Sequence, residues 1–151
     1  MLALISPAKK LDTESEPPVG DFTLPQFLDN SEKLVTALRR LSKRRLKALM
    51  NLSDALTDLN HARYERYSPP FSPVNAKQAV FMFRGDTYVG LDADTLSKDD
   101  LTYAQHHLGI LSGLYGMLRP LDLTFARYEV LRLLSFSSAG RLPMMRLGSL
   151  L

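Results

Sequence analysis

The chain has 151 residues, 45% of them hydrophobic, with no cysteine and a formal net charge of +3 at pH 7. That length suits one domain or part of one, and the absent cysteines exclude disulfides, cysteine-ligated zinc, iron–sulfur clusters and a thiol nucleophile. No stretch approaches the roughly 18 apolar residues of a membrane span, and the apolar opening is far too short for a secretory signal, so the expected location is the cytoplasm with no membrane partner.

In chain order, Leu2–Ile5 reads as a short buried strand ended near Pro7, and residues 13–21 as an acidic loop. The first long helix is expected to start at Thr23, with Gln26 completing a capping box, Phe22 and Phe27 as a hydrophobic staple and Pro25 in the first turn. Leu28, Leu34, Val35, Leu38 and Leu41 then recur at helical spacing. Arg39 to Lys47 carries six cations in nine residues and no acid. Ser42 caps a second helix within it, and Ser53-Asp54 starts a third that Pro69-Pro70 stops. Ser72-Pro73 can open a short helix, and Ala79–Phe83 reads equally as strand or helix, punctuated by Gly85-Asp86. Ser97 with Asp100 forms a capping box for a helix with Leu101, Ala104 and Leu108 on its apolar stripe.

The most informative stretch is Leu111-Ser112-Gly113-Leu114-Tyr115-Gly116-Met117-Leu118-Arg119-Pro120-Leu121-Asp122-Leu123. Gly113 and Gly116 permit positive φ or close backbone approach. Arg119 offers a donor fork suited to phosphate, and Pro120 holds it out of helical geometry. The segment reads as helix–glycine hairpin–helix, or as a strand Ile110–Ser112 turning into a helix. In the first form, backbone N–H groups and Arg119 would meet a phosphate without reading bases.

Other constellations are weaker. His106 and His107 point about 100° apart on a helix, so they suit surface roles better than chelation of one metal. No nucleotide-binding P-loop, H-E-x-x-H or G-x-S-x-G motif is present. Lys9 and Asp86, with Tyr88, lie near strand ends, where α/β proteins place ligands. A buried salt bridge there and an anion site stand equally open. The cations Lys43, Arg44, Arg45 and Lys47 form either a solvated helix joint or a phosphate-binding patch.

The opening Ile5-Ser6-Pro7-Ala8-Lys9-Lys10-Leu11-Asp12, then Gly85-Asp86-Thr87-Tyr88-Val89-Gly90-Leu91, then Ala104-Gln105-His106-His107-Leu108 running into the glycine segment, closely resemble the YaaA-type peroxide stress protein family in order and spacing. The resemblance spans residues 1–123, with one departure: Gly109 stands where the family usually has Arg, removing a possible phosphate contact. It implies DNA binding of helix-hairpin-helix type and protection from peroxide damage, with Gly113, Leu114, Tyr115, Gly116 and Arg119 at the matching positions. Without cysteine, such protection has to be indirect, through DNA, iron or a partner.

Residues 124–151 leave the pattern. They hold Arg127, Arg132, Arg141 and Arg146 against Glu129 alone, whereas residues 1–123 hold 15 basic and 15 acidic side chains. The net charge therefore says nothing for DNA; only local clustering can. This bias favours a shifted or truncated reading frame over a divergent amphipathic end packed through Val130, Leu131, Leu133, Leu134 and Phe136.

The expected fold is α+β (mixed α/β), mainly helices around a small sheet that includes Leu2–Ile5. It reads as an incomplete domain: 1–123 a YaaA-like N-terminal part, 124–151 the divergent tail. The leading function is a non-enzymatic stress protein on duplex or structured DNA. Its backbone contacts are assigned to Lys9, Lys43, Arg44, Arg45, Lys47, Gly113, Leu114, Tyr115, Gly116 and Arg119, with no catalytic residue, metal or cofactor. Two alternatives are an enzyme or anion-binding protein using Lys9, Asp86 and Arg119 on a phosphorylated small molecule, and a truncated product without function. Oligomeric state stays open.

Overall fold

The computed structural model describes residues 1–8, 10–12 and 14–125. Expectations about residues 126–151, including the reading frame and packing of the tail, lie outside them, as do those about Lys9.

Serine caps set the helices. Ser42 and Ser53 sit in extended geometry and accept from Arg45 N and Leu56 N, opening α2 (Lys43–Met50) and α3 (Asp54–Arg66). Such a side chain satisfies a backbone donor that the first turn leaves unpaired. Ser97 and Asp100 close a reciprocal capping box ahead of α6 (Lys98–His107). The capping box expected at Thr23 does not form. Helix α1 spans Leu28–Arg39 and begins at Phe27 without a side-chain cap. Thr23 is taken instead by a partner 99 residues away: its hydroxyl donates to Asp122 at 2.5 Å, and its backbone exchanges hydrogen bonds with Leu121 and Leu123. Along α1, Val35 and Leu38 are buried as their spacing predicts, while Phe22 and Phe27 stay exposed.

Between α3 and α6 the elements are short. Ser72 opens a turn, accepting from Asn75 N and Ala76 N. Strand β3 (Ala76–Gln78) leads into a single turn, α4 (Ala79–Met82), then β4 (Phe83–Arg84) and α5 (Asp86–Leu91). The ambiguous apolar run therefore resolves into both of its readings in succession.

Strand β1 (Ala3–Ile5) runs parallel to β5 (Leu108–Ser112), which pairs antiparallel with β6 (Gly116–Leu118). Two further small antiparallel pairs lie among the described residues: β2 (Lys10–Leu11) with β4, and β3 with β7 (Leu123–Phe125). The chain is thus mixed α+β, mainly helical around small sheets, as expected. One point differs. Strand β1 is not buried: Leu4 is 55% exposed, as is Leu2 just before it at 52%, and among the described residues β1 has a strand on one side only.

The main core gathers Val35, Leu38 and Leu46 from the helices with Ile110, Tyr115 and Leu118 from the hairpin. Tyr67, Phe71 and Phe125 close it as an aromatic group with centroids 5.4 to 6.2 Å apart, edge and tilted contacts that rings favour.

Candidate functional site

The glycine segment is a β-hairpin, not a helix-hairpin-helix. Residues 113–115 turn between β5 and β6, and Gly116 closes the loop at φ 74°. A left-handed residue ending a three-residue loop is a standard hairpin solution. Pairing decides against helices, since opposed Ile110 and Leu118 are both fully buried. Leu114 and Tyr115, expected at a DNA backbone, lie in the core instead. The Tyr115 hydroxyl accepts from Phe125 N at 3.2 Å, and the carbonyl of Leu114 accepts from Ser31 Oγ at 2.9 Å. Burial pushes the Tyr115 hydroxyl well above the ordinary tyrosine range.

Arg119, with its side chain 44% exposed, is engaged within its own turn. Its Nε and guanidinium nitrogen donate to the Asp122 carboxylate at 3.2 and 2.9 Å, and its backbone N–H donates to the same group at 2.8 Å. The Leu24 carbonyl takes a further bond at 3.3 Å. Asp122 is fully buried, so this turn holds together the Thr23 segment, β7 and, through Gln105, helix α6.

The basic run divides by role. Arg39 donates to the carbonyls of Tyr64 and Tyr67 at 2.6 Å each and of Glu65 at 3.2 Å, closing the end of α3. Lys43 pairs with Asp58 and Lys47 with Asp54, both at 2.6 Å and exposed; Lys43 draws the Asp58 carboxyl below its usual range. Arg44 and Arg45 are exposed in the first turn of α2, with no ion-pair partner among the described residues. His106 and His107 each bond the carbonyl four residues back, and His107 stacks on Tyr103 at 3.9 Å.

A second charged region, unmarked as a unit by sequence, assembles where two motif segments meet. Lys10 faces Arg84 and Leu11 faces Phe83 across β2 and β4, beside a cleft of about 640 Å³ lined by Lys10, Asp12, Glu14, Arg84, Gly85 and Asp86 among others. The Tyr88 hydroxyl ties this floor to the carbonyl of Ser6 at 2.9 Å. Arg84 bridges Asp12 at 3.1 Å and Asp94 at 2.9 Å, and its hydrogen bond to Asp94 raises its pKa further. Buried Lys77 donates to the Asp12 and Ser15 carbonyls and to Ser15 Oγ. Burial lowers its pKa against the pull of Asp12. For Asp12, burial works upward, but the Ser15 hydroxyl, the Ser15 and Glu14 N–H groups and Arg84 outweigh it, holding the carboxyl far below the carboxylate range. Of the residues assigned to an anion site, Asp86 lies here; Arg119 belongs to the Asp122 turn. The overlooked signal is Lys77, a lone cation entering the apolar run Ala76–Phe83, which a fold keeps only with partners.

Among the described residues no three histidine or acidic side chains are placed to hold a metal ion, and no helix is long and apolar enough to cross a membrane. Fold and site together define a mixed α+β protein whose motifs serve partly as scaffold and partly as the wall of a charged cleft. Residues 1–130 match the family model described as peroxide stress protein YaaA. Over 123 residues the chain is 55% identical to a UPF0246 protein of Burkholderia thailandensis, a match covering 82% of this chain and 47% of that protein. The chain belongs to the YaaA peroxide stress family and spans about half the length of this curated relative.

Proposed function

We propose that this chain protects against hydrogen peroxide damage by holding nucleic-acid backbone, without catalysis and without reading base sequence. The observation that carries this reading is the start of α2, where Lys43, Arg44 and Arg45 fill the first turn and no acid does. Cations at a helix N-terminus oppose its dipole, so the arrangement is unfavourable until an anion sits there. A phosphate at that turn meets backbone N–H groups and two free guanidinium forks. Lys43 and Lys47 contribute by exchange, since exposed bridges to Asp58 and Asp54 are weak and a phosphate can replace either carboxylate. The glycine hairpin has no contact role in this reading, and Arg119 shapes a turn.

The test is duplex binding by the full chain as a function of salt. Each lost phosphate contact lowers the log–log salt slope by about 0.9. Arg44→Gln with Arg45→Gln should weaken binding on any sequence and flatten the slope by nearly two such steps. An unchanged slope returns the patch to a solvated helix joint.

A second reading rests on the cleft. Lys10 stands directly across from Arg84, and like charges opposed on neighbouring strands repel. Arg84 is answered by Asp12 and Asp94, leaving Lys10 to take an anion beside Asp86, as a phosphorylated small molecule would require. Saturable nucleotide binding lost in Lys10→Gln, with duplex binding intact, would favour this reading over the first.

A further inference from the structure

Two of the four cations on α2 are cancelled by the helix packed against it. Helix α2 carries Lys43, Arg44, Arg45 and Lys47 and no acid, and α3 packs alongside. Two acids of α3 face it: Asp58 takes Lys43 and Asp54 takes Lys47, each at 2.6 Å. The two lysines stand about one helical turn apart, and so do the two aspartates. The bridges therefore lie side by side across a groove of about 340 Å³ that Arg44 also lines. The groove floor offers an anion little, since Thr57 is buried and its hydroxyl already donates to the Ser53 carbonyl at 2.8 Å. Asp54 has a local duty, because an acid in the first turn complements the α3 dipole. Asp58 has none. It lies beyond that turn with its side chain 63% exposed, and among the described residues its bonded partner is Lys43. Exposed pairs of this kind add little to stability, so stability does not account for its position.

We propose that Asp54 and Asp58 are built-in competitors of the nucleic-acid backbone, occupying Lys43 and Lys47 and restricting the patch to its two arginines until a run of phosphates displaces them. This rests on the reading that α2 holds phosphates, and adds its regulation. A carboxylate tethered by the fold meets its lysine at high effective concentration, so an incoming phosphate has to break a bridge to gain a contact. A strand already anchored at Arg44 and Arg45 brings its next phosphates to the lysines as tethered groups too, and the exchange is then close to even. Salt follows the same logic. A lysine that meets a phosphate releases a counterion, but a lysine leaving Asp58 exposes a carboxylate that attracts a cation in return. The acids thus weaken the grip and flatten its salt dependence together. With all four cations free, the patch would hold any strand longer. With two of them answered internally, binding without sequence preference stays reversible.

The experiment measures binding of the full chain to a random-sequence duplex over a range of salt. Asp54→Asn with Asp58→Asn should bind at least about threefold and up to about twenty-five-fold tighter, since each exposed bridge is worth at most about a factor of five. The log–log salt slope should steepen by up to two steps of about 0.9. Adding Lys43→Gln with Lys47→Gln should abolish the gain, and those two changes should cost the acid variant several times more than they cost the parent chain. Should Asp54→Asn lower the melting temperature by weakening α3, Asp58→Asn alone decides the matter, with one step of slope in place of two. An acid variant that binds no tighter overturns the proposal. A gain that survives Lys43→Gln with Lys47→Gln also overturns it, because long-range charge and not release of the lysines would then be the cause. In either case, binding that still falls with Arg44→Gln and Arg45→Gln leaves the backbone reading standing. Equal binding by the parent, acid and arginine variants removes that reading as well.

Discussion

Arg119 and Asp122 form a closed unit: within one turn, the arginine gives both its guanidinium fork and its own backbone N–H to a carboxylate that is fully buried. The turn's own bond, Asp122 N to Arg119 O at 3.0 Å, completes it. A buried acceptor stripped of its partner costs about 1–3 kcal/mol. Arg119→Ala should therefore lower the melting temperature, with a loss in that range by urea titration, and leave duplex affinity per folded molecule unchanged. Arg119→Lys should rescue only partly, because an ammonium lacks the fork. An unchanged melting temperature with weakened duplex binding would restore Arg119 to a contact role.

Gly116 makes a separable prediction. Its φ of 74° strains any L side chain, and a Cβ there would lie 3.2 Å from the Phe27 ring. Gly116→Val should destabilise by about 1–3 kcal/mol from backbone strain alone, with the ring contact adding to it. In a Phe27→Ala background the contact part disappears and the strain remains, so a double-mutant cycle on unfolding free energies should show coupling. Additive costs would mean that Phe27 gives way freely.

Arg39 and Arg40 are neighbours in the same basic run with unlike roles. Arg39 caps the last carbonyls of α3, where a cation also complements the helix dipole. Arg40 is exposed and has no side-chain partner among the described residues. Arg39→Ala should lower stability by about 1 kcal/mol or more, the scale of a lost charged hydrogen bond, and Arg40→Ala by much less. Equal losses in thermal melts would contradict this division.

These contrasts explain what could be read ahead of the structure. Helices α2, α3 and α6 announced themselves because Ser42, Ser53 and Ser97 act on backbone donors three residues on, a local interaction. Thr23 has the same chemistry, yet its hydroxyl goes to Asp122, and nothing near Thr23 encodes that distant partner. The hairpin was hidden for a related reason. Glycines among leucines suit a helical turn and a strand turn alike, and only the cross-strand burial of Ile110 and Leu118 chooses between them. The basic cluster was visible as composition, but dividing it into Arg39 as cap, Lys43 and Lys47 as bridge partners, and Arg44 and Arg45 as free required the position of α3. The cleft took the longest reach, since Asp12, Lys77, Arg84 and Asp94 come from four separate segments.

That cleft predicts an acid sensitivity whose sign follows from Asp12. Its folded pKa lies below the unfolded aspartate value of about 3.9, because Ser15, the Glu14 N–H and Arg84 favour the charged form more than burial disfavours it. The stabilisation is therefore fully present above that unfolded value and is lost as the pH falls from there toward the folded pKa. Asp12→Asn should be less stable than the parent chain at pH 7, since Arg84 and Lys77 then lack their shared carboxylate. Below about pH 4 the parent should lose stability faster than the variant, so their urea midpoints should converge toward pH 3. A gap that stays constant from pH 7 to pH 3 would show that the Asp12 charge contributes nothing to holding the cleft. Its part would then be confined to hydrogen bonds that an asparagine amide cannot reproduce.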